Sequence, residues 1–173
     1  MLEELVRKLK GRVVILGIGN ELRGDDGAGA ALAESLRGKV RAEVINGGEV
    51  PESYTGKVKE FNPEIIIVAD AVDMGEKPGS VSLIERDKLA DFPATSTHNI
   101  PLKVLADYLH AETGAAVLLL AVQPRSTAFG AALSPEVAAS LGAIEKLLAS
   151  LADSPHPVSS HHANTIRSVP SPP

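Results

Sequence analysis

The chain has 173 residues, 44% hydrophobic and 23% charged, a balance that suits one globular domain with a buried core. Its net charge of −5, without a polybasic run, argues against nucleic acid or an anionic membrane surface as partner and leaves a protein or a small molecule. With no cysteine, disulfides, thiolate zinc, iron-sulfur ligation and a cysteine nucleophile are all excluded, so any metal site must use His, Asp and Glu.

Residues 2–10 carry apolar side chains at helical spacing with charges throughout, which predicts a short amphipathic helix stopped by Gly11 rather than a signal peptide or membrane span. No stretch approaches about 18 uninterrupted apolar residues, and a cytoplasmic location is the default expectation. Arg12 to Gly17 is a strand-forming run; its continuous apolarity suits a parallel strand covered on both faces. A polar loop follows, then helical spacing from Asp26 to Arg37, stopped by Gly38.

The pattern then repeats. Arg41 to Asn46 is a second strand, Glu52 to Phe61 a short helix, and Glu64 to Asp70 a third strand rich in β-branched residues. Ser80 to Glu85 alternates like an edge strand. Pro101 opens a helix that runs to about Thr113 before Gly114, and Ala116 to Val122 returns as a strand. Ser134, Pro135 and Glu136 supply an N-cap, a first-turn proline and an early acid for a last helix to about Ala152. Residues 154–173 hold five of the twelve prolines, three of the five histidines and one charge, Arg167, which predicts a tail beyond a single domain of residues 1–153.

This alternation predicts a three-layer α/β sandwich, a mostly parallel twisted sheet with helices on both faces. Ligands of such sheets bind at the carboxyl ends of the strands, near the point where strand order reverses. Three candidates fall at or after strands there: Asp26 in the loop after the first strand, Asp70 ending the third, and His98 in the long loop before Pro101. Each also has an ordinary reading: Asp26 as a helix cap, Asp70 as a turn acid, His98 as a structural histidine. Brought together, two carboxylates and an imidazole suit a divalent transition metal.

Other chemistries fit less well. Gly17-Ile18-Gly19 resembles the start of a dinucleotide fingerprint, but Leu22 stands where its third glycine belongs, no Gly-Lys-Ser/Thr is present, and two acids oppose a phosphate. No nucleotide is therefore expected. The chain lacks Gly-x-Ser-x-Gly, His110 reads as a surface helix residue, and the tail histidines His156, His161 and His162 lack the fixed spacing of a metal site.

The ordered motifs Val14-Ile15-Leu16-Gly17-Ile18-Gly19-Asn20, Gly24-Asp25-Asp26-Gly27, Val68-Ala69-Asp70-Ala71-Val72-Asp73-Met74-Gly75, Thr97-His98-Asn99-Ile100-Pro101-Leu102 and Gln123-Pro124 resemble the nickel-iron hydrogenase maturation endopeptidases. The resemblance spans roughly residues 12–150 and is strongest to the branch serving formate-hydrogenlyase-type hydrogenases. It implies a cytoplasmic endopeptidase that removes the C-terminal extension of the large-subunit precursor after nickel insertion. The implied metal-contacting and catalytic positions are Asp26, Asp70 and His98, reading nickel carried by the substrate while the resting enzyme is metal-free. Which group acts as base or nucleophile is left open. Asn20 and Asp73 are expected to orient these side chains, Asp25 to cap or close the loop, and Gly17, Gly19, Gly24 and Gly27 to admit an extended peptide. A noncatalytic binding module, such as a chaperone or metal sensor, is the competing reading.

Overall fold

The computed structural model describes residues 11–91, 95–96 and 101–152, with backbone alone for 95–96 and 151–152. The predicted helix 2–10 and the tail 154–173 lie outside the described residues. The strands are β1 Val13–Ile18, β2 Glu43–Gly48, β3 Ile65–Asp73, β4 Val81–Glu85, β5 Thr95–Ser96 and β6 Ala116–Val122. The helices are α1 Ala28–Leu36, α2 Thr55–Glu60, α3 Leu102–Thr113 and α4 Pro135–Ala152. Five strands lie in the order β2-β1-β3-β6-β4; β4 runs antiparallel to β6, the other neighbours are parallel, and the short β5 pairs antiparallel with the end of β3.

The continuous apolar runs are explained by burial on both faces. In β3, Ile65, Ile67, Ala69 and Ala71 join a core with Leu32 and Leu36 of α1 and Val137, Leu141, Ile144 and Leu148 of α4. The alternate residues Ile66, Val68 and Val72 join a second core with Val58 of α2 and Leu105 and Leu109 of α3. A period of two thus sends one strand into both layers. The expected three-layer α/β architecture is what the chain adopts.

Strand order decides where the two faces meet. From β1 the chain passes over one face to β2, then crosses back over the other face to β3 on the far side of β1. Opposite directions with right-handed crossovers put α1 and α2 on opposite faces, so the reversal lies between the carboxyl ends of β1 and β3.

Helix α1 sits unusually close to that reversal because its first turn is made of small residues. A Cβ on Gly29 would lie 2.0 Å from the Ala69 carbonyl oxygen and 2.4 Å from that of Ile18; one on Gly17 would lie 2.0 Å from the Gly29 oxygen. Only glycine lets this helix rest directly on the two strand backbones. The expectation that Gly17, Gly19, Gly24 and Gly27 admit a substrate peptide is corrected here: each faces other backbone of this chain, within 1.9 to 2.8 Å of an added Cβ.

Candidate active site

The loop after β1 carries the first candidate carboxylates. It winds into a 3-10 turn, Gly24–Gly27, before α1 begins, so the helix starts two residues later than its apolar spacing predicts. Asp26 lies inside this turn, 4% exposed, and caps no helix; instead its Oδ2 accepts the Asn20 N–H at 3.2 Å. Asn20 therefore reaches Asp26 through its backbone. Its side chain is committed elsewhere, donating to Glu49 Oε1 at 2.8 Å and accepting the Leu22 N–H at 2.8 Å. Gly19, at φ 134°, lets the chain turn back here with its α-carbon against the Asp26 carbonyl.

Asp25 is a larger departure from expectation. It is fully buried rather than an ordinary loop acid, and its carboxylate accepts backbone N–H groups from Ser134 at 2.6 Å, Arg125 at 2.8 Å and Ser126 at 3.2 Å. In return the Asp25 N–H donates to the Ser126 carbonyl. Burial pushes its carboxyl upward, but the hydrogen bonds from Ser134, Arg125 and Ser126 outweigh this and hold it below the ordinary aspartate value. The acid adjoining Asp26 thus pins both ends of the loop that follows β6.

Asp70 is the only ionisable side chain within the otherwise apolar run of β3 from Ile65 to Val72, and it is 0% exposed. It does not end the strand. β3 continues to Asp73, because Val72 and Asp73 gain new partners in Ser96 and Thr95 of β5 after β1 has left the sheet. Asp70 shares the face of Val68 and Val72, while Asp73 points the other way, as three residues along a strand must. Asp73 accordingly is exposed and does not support Asp70 directly: its Oδ1 accepts Gly75 N–H and Gln123 Nε2, each at 3.1 Å. The Gln123 bond first, then that of Gly75, lowers its pKa.

Gln123, at the end of β6 and 6% exposed, has a role that spacing did not reveal. Its Oε1 accepts the N–H groups of Met74 at 2.6 Å and Glu76 at 3.2 Å, clipping the loop that follows Asp70 and Asp73. The available signal was a buried-strand run ending on an amide, a side chain that donates and accepts at once. Gln123→Ala is expected to cost about 1–3 kcal/mol, since two amides lose their acceptor, and hydrogen exchange at Met74 and Glu76 should accelerate. Unchanged protection at both would contradict the clip.

His98 lies outside the described residues. The described chain nevertheless comes close to it in sequence: Ser96, two residues before it, is paired with Val72, two residues after Asp70. Among the described residues, no group of three His, Asp or Glu side chains is gathered to hold a metal. His110 is half-buried rather than a plain surface residue; its Nδ1 lies 2.8 Å from the Ala115 carbonyl, beyond the glycine that ends α3. A hollow of about 450 Å³, lined by Ile65, Glu85, Arg86, His110, Ala116 and Leu118, opens at the amino ends of β3 and β6, away from Asp26 and Asp70.

Comparison with known proteins agrees with this fold. Residues 29–151 match the hydrogenase maturation protease family. The chain is 38% identical over 118 residues to the hydrogenase 3 maturation protease of Escherichia coli, covering 67% of this chain and 75% of the relative. The crystal structure of the NiFe hydrogenase maturation protease HycI from Thermococcus kodakarensis superposes with a TM-score of 0.79 at 34% identity, over 89% of this chain and all of that one. The solution structure of the endopeptidase HycI from Escherichia coli gives 0.72 at 34% identity, over 80% and 90% of the two chains.

Proposed function

The chain belongs to the hydrogenase maturation proteases, and from that premise we propose that it removes the C-terminal extension of a nickel-iron hydrogenase large-subunit precursor once nickel is in place. Asp26, Asp70 and His98 read the nickel, which arrives with the substrate, and the resting enzyme holds none. The cytoplasm is the proposed location; among the described residues, no helix is long and apolar enough to cross a membrane.

The supporting observation is that two buried carboxylates stand where β1 and β3 diverge, with β5 paired beside them two residues before His98. Carboxylate and imidazole donors suit nickel with open coordination positions. An immature site lacking the ion would offer them nothing to bind, so docking itself would test whether the metal is loaded. For the hydrolysis, a carboxylate takes a proton from water as the water oxygen bonds to the scissile carbonyl carbon. The C–N bond then breaks, and the departing amine takes up a proton.

The test is intact mass measurement of the precursor after incubation with the protein. Nickel-loaded precursor is expected to lose a C-terminal peptide and nickel-free precursor to remain whole. Equal shortening of both would reject the nickel reading, and a stable complex without release would reject proteolysis of this substrate.

A further inference from the structure

Two large apolar side chains stand out in solvent beside the buried carboxylates: Leu22, 64% exposed, and Phe129, 76% exposed. They belong to different loops, after β1 and after β6, yet the Gly130 N–H donates to the Leu22 carbonyl at 2.7 Å and joins the loops at this point. The Phe129 loop is anchored throughout. Asp25 holds Arg125, Ser126 and Ser134; Ala128 N–H reaches Ser126 Oγ and Ala131 N–H the Ala128 carbonyl; Gly24 packs against Ser126 and Ala131.

A phenylalanine displayed this openly on a fastened loop exposes apolar area to water without gaining internal packing. Ordering it in advance lowers the entropy lost when a partner covers it. Aromatic side chains on preformed surfaces are the usual energetic anchors of protein recognition. Exposed Arg23 and Arg125 flank the pair, with Arg125 held against Glu136, giving an apolar centre with a charged rim.

We propose that Leu22 and Phe129 form the docking knob for the folded body of the large-subunit precursor. The inference rests on the functional reading above and deepens it. Its occupant follows from continuity: Leu22 and Asp26 share one loop, and Asp25 ties that loop to the one carrying Phe129. A protein substrate whose scissile region reaches Asp26 therefore passes over the pair. The matching feature on the precursor is an apolar recess with polar edges. Docking at this knob serves binding, while chemistry stays with the buried carboxylates.

Leu22→Ala, Phe129→Ala and the double variant are to be compared with wild type for precursor affinity by calorimetry and for KM and kcat of processing. Phe61→Ala serves as control, an exposed aromatic at the end of α2 where the chain turns into the amino end of β3. Phe129→Ala is expected to raise Kd and KM about tenfold or more, the double variant further, with kcat at saturating precursor within about twofold. Melting temperatures are expected to hold, because the side chains pack against little. Unchanged Kd and KM in the double variant, with wild type processing normally, would overturn the knob and leave the protease reading intact. Binding without cleavage by wild type would reject proteolysis, and the variants' Kd would still decide the knob. Wild type that neither binds nor cleaves would overturn both.

Discussion

Asp70→Asn is expected to reduce processing of nickel-loaded precursor by about 10²–10⁴-fold, the usual consequence of removing a positioned acid-base group. Asparagine has nearly the same volume, so it fits between Val68 and Val72 without opening a cavity. It cannot take a proton from water, and its amide is a poor ligand for nickel compared with a carboxylate. Asp26→Asn is expected to act in the same direction, since both acids occupy the reversal between β1 and β3. Single-turnover cleavage followed by intact mass, alongside thermal melting of each variant, separates lost chemistry from lost fold. A folded Asp70→Asn protein that cleaves within about tenfold of wild type would remove Asp70 from the chemistry.

Asp25→Ala is expected to have the largest effect on stability, about 3–5 kcal/mol, because three backbone N–H groups lose a charged acceptor in a place with little access to water. For a domain of this size that corresponds to a fall in melting temperature of roughly 10 °C. The pH dependence has a definite sign. Folding lowers the Asp25 pKa, so its stabilisation is fully present above the unfolded value of about 3.9 and is lost as pH falls through the lower folded value. Denaturant unfolding at neutral pH should separate wild type from variant, and the gap should narrow below about pH 4. A gap that is equally wide at pH 3 and pH 7 would show that packing, not the ionised carboxylate, holds the loop.

The structure also shows why some features were readable in advance and others were not. β3 was legible because Ile65, Ile66, Ile67 and Val68 are apolar on both sides, which only a strand covered by two helical layers accommodates. Its end was not legible: Val72 and Asp73 stay in the strand through pairing with β5, a contact between segments more than twenty residues apart. The start of α1 shifted for a local reason, a 3-10 turn forced by the tight path from Gly24 to Gly27. Gly17 illustrates a wrong cause: it was expected to face an approaching peptide, and a close backbone approach does occur there, but by Gly29 of the protein's own helix.

Asp25 and Asp26 show the same division at the site. Adjacent acids in one turn have equivalent local sequence signals, yet one accepts amides from a loop a hundred residues away while the other meets the Asn20 amide beside the candidate chemistry. Asp73 and Gln123 follow suit, each drawn into a clip that no spacing announces. Apolar periodicity, turn residues and the absence of cysteine determined from sequence alone that this is an α/β sandwich whose chemistry uses no thiolate. Tertiary structure decided which carboxylates are buried at the strand reversal and which hold loops, because a charge's role depends on the donors that long-range packing brings to it.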